Sequence, residues 1–320
     1  MTNKEVAQKV VDRIAELIAS GASLPWVKPW GRSPAKVRVV DGWKVVTLPP
    51  TAWSRSGKLY KGANTYLPVG EYITFNQCKA EGGKLRKGAK GFPVVYWNFT
   101  KKTELDPDSG EMVEKVIPFL KYYTVFHIED CEGLEQKHHP KPEEYMMPIV
   151  HYEPTTKNSD LNDEAEQVIA DYIGRSGGLE LYRDEPSDRA FYRPSTDEVT
   201  VPMREQFENL GEFYSTLFHE LGHSTGHRTR LNRFTGKAAY ASFGSTEYSK
   251  EELVAEATAA SLLNALGMEE ANTFRNSAAY IKDWSTKIKN DPLMYVTAAT
   301  KAQAAFELIL GIKTEELTEQ

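Results

Sequence analysis

The chain has 320 residues, with 39 Lys plus Arg against 45 Asp plus Glu, a net charge of −6 and 40% hydrophobic residues. At roughly 100 to 200 residues per domain this length is about two globular domains, and the composition excludes a peptide hormone, a collagen and a wholly disordered chain. No stretch approaches the ~20 apolar residues that cross a bilayer, and the opening segment is amphipathic and acid-bearing rather than signal-like, so a cytoplasmic protein with no membrane partner is expected.

Residues 3–20 place Val6, Val10, Ile14, Leu17 and Ile18 at helical spacing, with Thr2 or Asn3 as N-cap and Gly21 as the stop, which predicts an amphipathic helix. From Pro25 to about Thr103, short runs rich in Tyr, Trp, Val and Thr alternate with Gly- and Pro-bearing turns and predict a small sheet; Trp43–Leu48 and 93–99 are the clearest. The polar stretch 104–114 reads as a hairpin tip and 119–128 as its returning strand. Residues 132–160 carry His138, His139 and several prolines without an apolar period, and read as an extended linker. Helices are expected over 163–175, 207–222, 250–266, 270–285 and 292–310, and two short strands over 191–201 around the turn at Pro194. The expected class is therefore α+β: a small mixed sheet-and-helix domain over 1–131, a linker over 132–160, and a mainly helical domain with a short sheet over 161–320.

Charge divides the chain the same way. Residues 1–130 hold 20 Lys plus Arg against 13 Asp plus Glu, and the remainder holds 19 against 32. The two cysteines, Cys78 and Cys131, are too few for a disulfide framework or a Cys-rich metal site, and reduced thiols are expected.

The sharpest motif lies in the acidic half: His219-Glu220-Leu221-Gly222-His223 on a predicted helix. Positions i and i+4 share a helix face, so His219 and His223 can hold one zinc ion while Glu220 acts as general base on a water. Phe213, Leu217 and Phe218 make the helix at least partly buried, where two histidines and a glutamate are costly unless something binds them. A third ligand is needed. His227 lies about 12 Å along an unbroken helix from His219, too far to share an ion, and position 229, where a metzincin has its third His, is Thr229. The better candidates are Glu252 and Glu256, one turn apart on the next helix: Glu252 as ligand, Glu256 as orienter of a ligand His through its free ring nitrogen. Glu251 reads as part of a solvated acidic face. Zn2+ is the expected ion, with Mn2+ or Co2+ acceptable to the same donors. Tyr240 or Tyr248 is a candidate oxyanion stabiliser by position alone.

In the basic half, residues 28–102 hold 15 Lys plus Arg and only Asp41, Glu71 and Glu81 as acids, interleaved with aromatics. A cationic groove for phosphates with rings for stacking bases is the recipe for binding single-stranded DNA without sequence preference. Core packing is the expectation for Trp97, Tyr96 and Phe75. The contacts expected in turns are Trp26, Lys28 and Trp30, then Arg55, Lys58, Tyr60, Lys61 and Asn64, and the run Lys84, Arg86, Lys87 and Lys90.

These motifs carry a resemblance. The run 213–227, with Arg230-Leu231-Asn232-Arg233, Phe243-Gly244-Ser245 and 248–256, resembles the metallopeptidase domain of ArdC antirestriction proteins. Tyr192-Arg193-Pro194 with Asp197 and Val201-Pro202 resembles the strand segment that precedes it. Pro29-Trp30, 60–64, 74–77, 82–88 and 124–126 resemble the family's single-stranded-DNA-binding N-terminal domain, with Lys61 and Ala63 as mild departures. The spacing Glu252, Ala255, Ala259, Leu262, Leu263 is similar to the third-ligand helix of ImmA/IrrE-type gluzincins, which by analogy favours Glu252. The resemblance implies an antirestriction protein of a mobile element that protects incoming DNA, with host restriction proteins or another protein as partner or substrate. Two alternatives stay open: a DNA-dependent metalloprotease acting on DNA-associated proteins, and a binding module with a structural metal site. A complete set with a general-base Glu220 argues against the last.

Overall fold

The computed structural model describes residues 1–19, 36–40, 43–48, 52–64, 66–105, 112–138, 143–148, 161–235, 246–268 and 290–312. The expected helix over 270–285 lies outside them, as do Trp26, Lys28, Trp30 and Tyr240. No helix among the described residues is long and apolar enough to cross a membrane.

The first helix, α1 (Asn3–Ala19), starts with Thr2: its Oγ1 accepts from the Glu5 N–H while its own N–H donates to the Glu5 carboxylate. Asn3 instead ties the helix to the sheet, its Oδ1 accepting from the Leu120 N–H at 2.8 Å. The sheet under α1 has the order β3-β4-β7-β6, from β3 (Ala52–Ser54), β4 (Gly70–Thr74), β6 (Phe92–Leu105) and β7 (Met112–His127). Only β3 and β4 run parallel. All 14 residues of β6 pair with β7, so the hairpin is longer than the sequence runs marked, and its strands reach Leu105 and Met112. A helix not anticipated from periodicity, α2 (Phe75–Ala80), follows β4 through a capping box between Thr74 and Gln77.

A second sheet, β1-β2-β9, joins β1 (Lys36–Val40), β2 (Trp43–Leu48) and β9 (Glu143–Pro148). The stretch expected as linker thus contributes a strand: its extended backbone supplies the partners that β2 would otherwise lack on one edge. Its first residue, Glu132, also pairs, in β8 (Cys131–Glu132) with β5 (Lys84–Leu85).

The acidic half is α+β as expected. Helix α3 (Asp163–Arg175) is capped by Asn162, and a small sheet of order β10-β12-β11 is formed by β10 (Glu180–Tyr182), β11 (Phe191–Arg193) and β12 (Glu198–Thr200). Three helices follow: α4 (Leu210–Ser224), capped by Asn209, α5 (Thr246–Ala265) and α6 (Pro292–Leu310). One core cluster holds α3, β12, α4, parts of α5 and the end of α6. Another runs from α1 through the four-stranded sheet into Leu253, Val254 and Ala257 of α5 and Met294 to Ala302 of α6, so the two halves share a core. They are also pinned by ion pairs, Lys44 of β2 to Asp171 of α3 and Lys61 to Glu307.

Candidate metal centre

Helices α4 and α5 pack closely at Gly222. A Cβ there would lie 3.1 Å from the Ala255 Cα and 3.3 Å from its carbonyl oxygen. That approach is what lets side chains from two helices converge. The Nε2 atoms of His219 and His223 lie 3.1 Å apart, His219 Nε2 is 3.5 Å from one Glu252 oxygen, and His223 Nε2 is 3.3 Å from the other. Among the described residues this is the one cluster of three ligand-type side chains with mutual distances within 4.8 Å. A tetrahedral ion ~2.0–2.1 Å from each donor would set donor–donor spacings of about 3.4 Å, so the residues fit a small divalent cation.

The outward ring nitrogens are held as well. His219 Nδ1 lies 3.5 Å from Glu256, as the one-turn spacing anticipates. His223 Nδ1 lies 3.5 Å from Glu251, which corrects the solvated-face reading of that residue. Glu251 is fixed by Arg233, whose Nε donates to it at 3.0 Å, and the same guanidinium donates to the Gly222 carbonyl and to Thr225 Oγ1. Arg230 donates to the Ser224 carbonyl and pairs with Asp197. Two arginines thus satisfy carbonyls at the C-terminal end of α4, where cations are favoured. Helix α4 ends at Ser224, and His227 stays out of the centre: its Nδ1 hydrogen-bonds Thr229 Oγ1 at 2.8 Å and faces Asp197.

Four carboxylates, Glu220, Glu251, Glu252 and Glu256, surround two imidazoles, and the electrostatics follow. Burial raises the Glu220 pKa, only partly opposed by the two histidines, and the backbone N–H of Tyr192 on β11 hydrogen-bonds its carboxylate. Burial likewise raises Glu256. Burial also acts to raise Glu252 and Glu251, but hydrogen bonds outweigh it and both lie low: from His219 and His223 for Glu252, from His223 and Arg233 for Glu251. His223 is pushed up to about 10, because hydrogen bonds to Glu251 and Glu252 overcome the burial that would lower it.

The residues expected to touch DNA fall into two groups. Arg55 is buried and paired with Glu71 and Glu81; Tyr60 is buried with its ring edge-on to Tyr72; Asn64 bonds both the N–H and the carbonyl of Val95 on the edge strand. Each of these three has its polar or ring contacts taken up by partners within the fold. Lys61 lies 3.0 Å from Glu307. Lys58, Lys84, Arg86, Lys87 and Lys90 are exposed. Phe75 and Tyr96, expected inside the sheet, are 55% and 43% exposed, since Phe75 is the first residue of a short helix and Tyr96 lies beyond Phe92 and Val94, the residues of its face that enter the core.

Two family models match: the N-terminal domain of anti-restriction factor ArdC over residues 4–126, and a zincin-like metallopeptidase over 169–301. The metal-free crystal structure of the antirestriction ArdC protein from plasmid R388 is similar, with 29% identity, a TM-score of 0.55, 95% of this chain and 96% of that one covered. Its Mn(II)-bound form gives 27% identity, a TM-score of 0.57 and coverage of 97% and 98%. A DNA primase TraC of Escherichia coli is 31% identical over 99% of this chain, and y4eC of Sinorhizobium fredii is 28% identical over 94% of this chain and 90% of its own length. The chain spans 28% of the length of that primase and 20% of a second TraC primase.

Proposed function

From the premise that this chain is ArdC-like, an ArdC N-terminal domain joined to a zincin-like metallopeptidase domain, we propose that it is a cytoplasmic antirestriction protein of a mobile element. It binds single-stranded DNA as the element enters and protects it from host restriction. The observation that carries this reading is the joint match of both domains, in order, to an antirestriction protein over nearly the full length of both chains. The exposed basic run at Lys84 to Lys90 supports the DNA-binding part.

A second activity, peptide hydrolysis, is favoured by one feature: Glu220 is buried beside the ligand set but bridges neither histidine to another group. A purely structural site has no use for it. In this reading His219, His223 and Glu252 hold a divalent ion, zinc by donor type, which when bound polarises a carbonyl and acidifies a water. The chain's residues do the rest. Glu256 and Glu251 aim the two imidazoles, Tyr192 fixes the Glu220 carboxylate, and burial raises the Glu220 pKa above the ordinary carboxylate value, the direction that suits a group taking and returning a proton. The substrate class is a DNA-associated protein, a host restriction protein included.

The test is conjugal or transforming entry of DNA into restricting and non-restricting recipients, with the wild-type chain, Glu220→Gln, or no chain. Protection specific to the restricting recipient supports the antirestriction role, and equal recovery without the chain removes it. Protection lost in Glu220→Gln with metal content kept assigns hydrolysis to the role; full protection by that variant separates the two.

A further inference from the structure

We infer that the outward face of the β6–β7 ribbon is a base-stacking platform for single-stranded nucleic acid, built from Tyr96, Tyr123 and Phe119 with Lys121. This rests on the single-strand binding proposed above and gives it a surface.

The register places these side chains together. Val94 pairs with Tyr123, Tyr96 with Lys121 and Asn98 with Phe119, and directly opposed residues of a pair share one face. Both faces enter the core that includes α1 at the near end of the ribbon, Val95 and Leu120 on one and Phe92, Val94 and Val125 on the other, where Arg13 of α1 lies over the Phe92 ring, and Trp97 and Tyr122 pack against that core. On the outward face the same sheet buries Phe92, Val94 and Val125 at one end, then leaves Tyr96 and Tyr123 at 43% and 38% exposure. Their rings touch, with centroids 5.8 Å apart and planes at 60°, and Lys121 Nζ lies 5.3 Å from the centroid of Phe119. The two exposed tyrosines are therefore held by one another, and half-buried Phe119 by a cation, rather than scattered.

Charge selects the occupant. The segment carrying exposed Lys84, Arg86, Lys87 and Lys90 leads directly into β6, and Gly91 packs on Thr124 and Phe126 of β7. Tyr96 lies six residues beyond Lys90, about 20 Å at ~3.3 Å per residue, and Lys121 lies opposite Tyr96 on the ring face itself, so phosphate-neutralising side chains and stacking rings are carried on one strand pair within the reach of a few nucleotides. A second copy of this chain would set like charges face to face. A duplex keeps its bases stacked on each other, whereas a single strand offers free base faces to the rings.

The test uses the full chain and a fluorescein-labelled oligothymidylate, with melting curves and metal content recorded for each variant. Replacing Tyr96, Tyr123 and Phe119 together by Ala is expected to weaken binding at least about tenfold without altering its salt dependence. Lys121→Gln is expected to reduce the slope of log affinity against log salt by about 0.7, the value for one phosphate contact to a single strand. Tyr96→Phe with Tyr123→Phe should bind as wild type. A triple variant that melts normally and binds undiminished overturns the platform. If the triple variant does not fold, unchanged affinity and slope in both Tyr96→Ser and Lys121→Gln overturn it equally. Wild-type protein that binds no single strand refutes the proposed function itself, a result distinct from wild-type binding with indifferent variants.

Discussion

At the scale of single residues, the centre has two layers, and only one was legible in the sequence. His219, Glu220 and His223 follow from spacing on one helix, because i and i+4 neighbours share a face whatever the tertiary fold does, whereas Glu252 was a choice between two carboxylates on another helix that the resemblance favoured. Glu251 did not follow, since its identity as an orienter depends on Arg233, 18 positions away, and on the rotation of α5. Replacing Glu251 by Gln removes the carboxylate that faces His223 Nδ1 and is expected to weaken metal binding by about 10- to 100-fold, measured by competition with a chromogenic chelator. Protons should compete with the ion as well. The His223 pKa is raised to about 10, above the ordinary histidine value, so at neutral pH the proton is present and must leave when metal binds. Binding near pH 7 to 9 is expected to release about one proton per ion and to tighten about tenfold per pH unit, read by calorimetry in buffers of different ionisation enthalpy. An affinity flat across that range would show that His223 is already neutral in the metal-free protein. The same limit of sequence reading applies to Arg55, Tyr60 and Asn64: residue type suggested nucleic acid, and the partners that hold each of them within the fold were not legible.

At the scale of elements, legibility followed local signals. Helices α3 and α6 have the limits their apolar periods and caps indicate, and β2 is a run of β-formers between breakers. Short α2 was hidden because its six residues are less than two turns, and only the Thr74–Gln77 box marks it. Strand β9 was hidden because its reason for existing is a long-range partner, β2. The contact of α4 with α5 was hidden too, although its cause sits inside the metal motif as Gly222. Gly222→Ala sets two effects in opposition. Helix propensity favours Ala by about 1 kcal/mol, while a Cβ 3.1 Å from the backbone of Ala255 overpacks a helix crossing at about 1–3 kcal/mol. The crossing should prevail, with a net destabilisation of up to about 2 kcal/mol and weaker metal binding as His219 and His223 move from Glu252. A melting temperature at or above wild type with unchanged metal affinity would show that the helices accommodate the methyl group.

At the scale of the whole molecule, charge and motif divide the chain in two, whereas packing joins it. Helix α1 opens the basic half, yet its core continues into Leu253 and Val254, the two residues that follow Glu252 on α5, and into α6. Composition could reveal the division but not the seam, because the seam is a set of apolar faces that each look complete as ordinary amphipathic elements. The shared core couples the metal centre to a helix that does not touch it. A divalent ion held only by the folded chain stabilises it by about 2.7 kcal/mol at a hundred times its dissociation constant. If folding is one cooperative unit, α1 gains that protection in full. Amide exchange in α1 is therefore expected to slow on metal addition as much as exchange in α4. Ile14→Ala, a cavity worth about 2–5 kcal/mol on the buried face of α1, should in turn lower the melting temperature of the metal-loaded chain in one transition. Two separate calorimetric transitions, with the mutation confined to one and metal to the other, would mean that the halves fold apart and that the interface formed by α1, α5 and α6 is a docking contact rather than a core.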